Sequence, residues 1–176
     1  LLFRAIIGVM LLPKLIQMLS DHWQEVASQA IRRIRQDKDL PETSRFPEAD
    51  LRERARAILQ HLGTVLASRE GEIAEHYERL GKARFEEGLP LHEVVRGLQI
   101  IKSSMIEYGR RQSMAGPLDV YAEEELELAA DRIFDLMIYY VVRGYERELV
   151  EAPGKFGSRA RPKRRKEPEF LGPSPF

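Results

Sequence analysis

Apolar residues in this chain recur every three or four positions, in stretches long enough for helices, and no stretch of useful length alternates as a half-buried strand would. From Pro13 to about Gln36 they fall at Leu15, Leu19, Trp23, Val26, Ala30 and Ile34, one face of an amphipathic helix. Arg32, Arg33 and Arg35 occupy its last turn, where cations complement the helix dipole. Residues 37–45, with Pro41, Thr43 and Ser44, break the period. Pro47 and Glu48 suit the opening of a second helix, whose face is Leu51, Ala55, Ile58, Leu62 and Val65. Gly71 marks a bend into a third, which carries Ile73, Tyr77 and Leu80 and ends at Gly88 as a left-handed cap would end it.

Pro90 restarts the chain as a first-turn proline, so the stretch from His76 to Arg111 reads as two amphipathic helices pinched together at Gly88-Leu89-Pro90. Leu91, Val94, Leu98, Ile101, Met105 and Tyr108 follow a seven-residue seam, the pattern of bundle packing. Gly116-Pro117 ends this fourth helix, and Asp119 can cap a fifth that runs to about Val150. The run from Ile133 to Val142 is apolar apart from Asp135 and a few polar edges, which predicts a central helix with neighbours on several sides, or a dimer interface. Apolar stripes on the fourth and fifth helices read as core before they read as a ligand pocket. The fold class is therefore all-α, a five-helix bundle over residues 11–152.

The ends differ from the body. Residues 1–10 form an apolar extension whose uncharged run is far short of the ~20 residues that span a bilayer. Met10 fits a start, with Leu1 to Val9 as upstream read-through and an uncleaved membrane anchor as the lesser reading. Residues 153–176, rich in Pro, Gly, Arg and Lys and without period, read as a disordered basic tail. That tail holds seven of the 28 Lys and Arg but two of the 28 Asp and Glu, so the zero net charge conceals a body five charges negative. Arg161, Lys163, Arg164, Arg165 and Lys166 in it suit contact with nucleic acid phosphates or an anionic membrane, though no aromatic is interleaved for base stacking. The alternative is a solubilising linker.

Zero cysteines exclude disulfides, thiolate metal sites and a cysteine nucleophile, and agree with a reducing cytoplasm. His92-Glu93 is similar to the phosphoacceptor box of sensor histidine kinases, but the basic-polar-Pro continuation is missing. His76 is a second candidate phosphoacceptor or haem ligand, with no partner in the sequence. Glu72 and Glu75 lie near it, yet no second cluster completes a dinuclear metal cage. Both histidines read more simply as solvated helical residues, and no cofactor or metal is implied.

An early tryptophan in LIQMLSDHWQEV, the pattern Gly88, Pro90, Leu91, Glu93, Arg96 and Leu98, and the closing VRGYERE from Val142 to Glu148 resemble the N-terminal domain family of RsbT co-antagonist proteins, over about Leu11 to Glu151. The resemblance implies a non-catalytic bacterial sensor or regulatory domain of stress signalling, with protein partners in a signalling complex, as homodimer or hetero-oligomer. Related domains are globin-like without haem, and usually precede an output module. A histidine phosphotransfer or kinase-associated dimerisation module is the competing reading. A sensor needs a bistable element, expected at the turn, where Arg84, Glu87, Glu93 and Arg96 lie close enough to register the third and fourth helices.

Overall fold

The computed structural model describes residues 13, 16–67, 70–112 and 117–151. Within them lie five helices, α1 (Trp23–Gln36), α2 (Glu48–Ala67), α3 (Glu70–Glu86), α4 (Leu91–Gln112) and α5 (Pro117–Glu151), with a short 3-10 turn at Thr43–Arg45. No strand occurs among the described residues.

Three boundaries differ from expectation, each for a local reason. Residues 16–21 are helical but break at His22, whose φ of −106° and ψ of 27° leave the helical region. Hydrogen bonds still pass across it, from the His22 amide to Met18 and from the Val26 amide to His22, so the long first helix is kinked there. Gly71 lies inside α3, which is described from Glu70, and residues 68–69 lie outside the described residues. α5 begins at Pro117, whose missing N–H is no loss in a first turn, and this places Asp119 within the helix.

The periodic faces pack as stripes. Leu19, Val26, Ala30 and Ile34 are buried, as are Leu51, Ala55, Ile58 and Leu62 of α2. α1 packs on α2 and α4, while α5 takes α3 along one flank and α4 along another. α4 consequently buries more than its predicted seam. Leu98, Ile101, Met105 and Tyr108 are joined by Glu93, Ile100 and Ser104, because Ser103 and Ser104 face Arg33 of α1 while Lys102 and Gly109 meet Asp131 and Leu126 of α5. α5 is the longest helix but is not encased. Phe134, Met137 and Val141 are fully buried, whereas Asp135 and Tyr139 face outward.

Among the described residues, α3 and α5 approach each other main chain to main chain. A methyl group at Gly81 would collide with the Val141 carbonyl oxygen and the Tyr145 nitrogen, and one at Gly144 with the Glu78 carbonyl. Main chain therefore lies directly on main chain, which only glycine permits. Glu78 is gripped by Arg143 and Arg147, and Lys82 by Glu148 at 2.8 Å, on the rim of the same contact. Gly144→Ala should lower the unfolding free energy by about 2 kcal/mol or more, since helix axes must separate. Gly97→Ala, where nothing lies within 4 Å of the added carbon, should raise it by about 0.5–1 kcal/mol. Urea denaturation of both variants checks the pair.

Candidate functional site

The α3–α4 turn is built by glycine and held by tyrosine. Gly88 has φ of +74°, its N–H donates to the Phe85 carbonyl at 2.9 Å, and the Leu89 N–H reaches the Arg84 carbonyl at 3.1 Å. This is a Schellman cap. The Pro90 carbonyl accepts from Glu93 and Val94 at 3.0 and 3.1 Å, so Pro90 caps α4 one position before its first turn. The Tyr145 hydroxyl of α5 donates to the Leu89 carbonyl at 2.8 Å, and its ring meets Phe85 edge to face at 5.2 Å. Beyond the turn α3 and α4 diverge, each packing more on α5 than on the other.

Arg84, Glu87, Glu93 and Arg96 accordingly join separate contacts. Glu87 accepts from Arg84 and, at 3.0 Å, from Arg54 of α2. Burial alone would raise its carboxyl pKa, but the two guanidinium hydrogen bonds outweigh burial and hold it below the usual range. Burial and neighbouring Arg54 lower the pKa of Arg84, against the pull of Glu87. Arg54 also lies over the Phe46 ring, 4.3 Å from its centroid. These contacts tie the end of α3 to α2.

Glu93 and Arg96, one turn apart on α4, instead clasp the connection between α1 and α2. Glu93 is 1% exposed and accepts the N–H groups of Thr43 at 2.8 Å and Glu42 at 3.3 Å. The carboxylate thus supplies the acceptor for the start of the 3-10 turn that no residue of the turn provides. Arg96 donates to Asp37 at 3.0 Å. The Asp39 amide, first, and then Arg96 hold the Asp37 carboxyl below its ordinary value. Leu40, in the stretch that breaks the helical period, is fully buried beneath this clasp.

The histidines occupy different settings. His92 is exposed in the first turn of α4. His76 stacks face to face on His61 of α2, with centroids 5.0 Å apart and planes 10° apart. Such stacking turns ring faces rather than nitrogens toward each other. Burial, then the neighbouring His61 and Arg79, lower the His76 pKa. No group of three or more His, Asp or Glu side chains that could hold a metal occurs among the described residues. Arg161, Lys163, Arg164, Arg165 and Lys166 lie outside them.

Arg54, Tyr145, Gly81 and Gly144 take part in this assembly without having been singled out by periodicity. The available signals were glycines within helices, where each is costly unless close packing requires it, and the VRGYERE motif, which contains Gly144 and Tyr145.

A family model, RsbT co-antagonist protein RsbRD N-terminal domain, matches residues 24–154. The chain belongs to this family. The match runs from the second residue of α1 past the end of α5, so the bundle from α1 to α5 is the RsbRD N-terminal unit, a regulatory domain of stress signalling. No curated protein and no solved structure matches the chain. No helix among the described residues is long and apolar enough to cross a membrane.

Glu93→Ala should destabilise by about 2 kcal/mol, because two buried amides lose their acceptor, and Glu93→Gln by less. Hydrogen exchange should show the Glu42 and Thr43 amides losing protection in the alanine variant. For His76, the lowered folded-state pKa means that the folded protein binds fewer protons than the unfolded chain below about pH 6.5. Its contribution is present above that pH and is lost as pH falls through it toward the folded value. His76→Gln should flatten the fall of thermal midpoint across this range.

Proposed function

We propose that this RsbRD N-terminal domain is a non-catalytic, cytoplasmic regulator that acts by contact with a protein partner in a signalling complex. The observation that carries the reading, beyond the family, is the outer face of α5. Leu128, Tyr139 and Val150 are 56, 57 and 77% exposed and follow one another at eleven-residue intervals, three helical turns apart, so they form one line along the helix. Leu149 lies beside Val150 and is also exposed. The line runs for roughly 30 Å at 1.5 Å per residue. Asp131, Arg132, Asp135, Glu146 and Arg147, all exposed, border it with both signs of charge. Apolar anchors within a charged rim are the composition of a protein interface.

The clasp around the α3–α4 turn supports a regulatory role, because it links α2, the α1–α2 connection and α5 at one end of the bundle. A partner that favours one setting of these contacts over another would shift the whole arrangement.

Leu128→Glu combined with Tyr139→Glu should abolish the dimer or partner complex seen by sedimentation, while helical content and thermal midpoint stay as in the parent chain. A complex of unchanged mass would refute the α5 assignment. Transfer of radiolabelled phosphate from a cognate kinase to His92 or His76 would replace it with the phosphorelay reading.

A further inference from the structure

The outward line of α5 carries charge as well as apolar anchors. At about 100° per residue, Leu128, Arg132, Asp135, Tyr139, Arg143, Glu146 and Val150 all fall within roughly 40° of Tyr139 around the helix, so they make one seam with steps of three and four residues. Arg143 retains 40% of its side-chain exposure, and the other six are exposed residues. The eleven-residue spacing of the anchors drifts by only about 20° per repeat, so a second straight helix can follow the seam for ~33 Å.

Charged groups to either side of this seam are paired within the chain: Glu127 with Arg110, Asp131 with Lys102, Arg147 with Glu78 and Glu148 with Lys82. On the seam itself, Arg132, Asp135 and Glu146 form no side-chain ion pair or hydrogen bond with any described residue. Arg143 is held by Glu78 of α3 and lies 5.9 Å from the centroid of the Tyr139 ring, which fixes its guanidinium beside the middle of the line.

The order of these charges decides what can cover them. From Leu128 to Val150 the seam reads apolar, positive, negative, apolar, positive, negative, apolar. Reversed, every charge changes sign and every apolar position stays apolar. Arg132 and Glu146 each lie seven residues from Tyr139, Asp135 and Arg143 each four, and Leu128 and Val150 each eleven. Two copies laid antiparallel therefore bring opposite charges to the same level, whereas two laid parallel set Arg on Arg and Glu on Glu. A patch complementary to itself is what a two-fold interface requires. At the usual helix separation of about 8–10 Å, side chains facing each other at one level are within ion-pair reach.

We propose that α5 binds a second copy of this chain, antiparallel, about a two-fold axis passing between the two Tyr139 rings. Arg132 then meets Glu146 of the partner subunit, Asp135 meets Arg143 of the partner subunit, and Leu128 packs beside Val150 of the partner subunit. Each of these contacts occurs twice, on either side of one central tyrosine pair. The inference rests on the reading of α5 as a contact surface and adds the identity and direction of its occupant.

The chain has no cysteine, so single introduced cysteines report the geometry in the full chain. Under mild oxidation Tyr139→Cys should give a disulfide-linked dimer, because the axis places that position opposite itself. Leu128→Cys alone and Val150→Cys alone should stay unlinked, since the two copies of each lie ~33 Å apart, while an equimolar mixture of the two variants should link. By sedimentation, Arg132→Glu and Glu146→Arg should each weaken the dimer at least about tenfold, and the double variant should recover to within about threefold of the parent. Linkage of Leu128→Cys to itself, or a double variant no tighter than the single ones, overturns the antiparallel pairing. A chain that sediments as a monomer at every soluble concentration overturns the second copy as occupant; the contact surface then still stands if Leu128→Glu with Tyr139→Glu releases a foreign partner. A dimer that survives that last variant overturns both readings.

Discussion

The contact of two helix backbones at Gly81 and Gly144 sets the geometry of the bundle. With no side chain between them, α3 and α5 lie as close as their main chains allow, and the carbonyls of Glu78 and Val141 occupy the places where β-carbons would be. That approach brings Tyr145 within reach of the Leu89 carbonyl and so fixes the turn from which α4 departs. α4 leaves in a direction that carries it along α5 on a different flank, α1 then packs on what remains of α4, and α2 packs on α1. Each later placement inherits its direction from the first crossing.

Attachment of α1 and α2 is different in kind. Side chains make it, through the Arg33 contacts to Ser103 and Ser104, the grip of Glu93 and Arg96 on the α1–α2 connection, and the Arg54–Glu87 pair. Most of these polar groups are partly exposed, so individual pairs contribute little, while the buried Glu93 carboxylate would be expensive to leave without its amides. A partly enclosed cavity of about 350 Å³, lined by α1, α2, α3 and α4, lies where the two kinds of attachment meet. One half of the domain is thus seated main chain on main chain, and the other is held by buried apolar stripes with polar side chains tying their ends.

Much of this plan was legible in the sequence, and the gaps have physical causes. Three- and four-residue steps located the buried stripes of α1 and α2, and Gly88 declared the turn through its need for positive φ. The seam of α4 was read too narrowly because Glu93 and Ser104 are polar by type, and only their partners on other elements make burial tolerable. Leu40 stood alone in a non-periodic stretch, so no pattern marked it as core. The run from Ile133 to Val142 suggested an encased helix, yet Asp135 and Tyr139 fall on its outward side. Tyr77 was visible as a buried position of α3, but its unsatisfied hydroxyl depends on how separate elements fold together.

A framework seated on main chain does not depend on the bulk of residues elsewhere. Substitutions among the aliphatic side chains that bound the space between α2 and α3 alter its shape while the α3–α5 crossing stays put. Chains that keep these two glycines can therefore differ in the space they enclose there while sharing one frame.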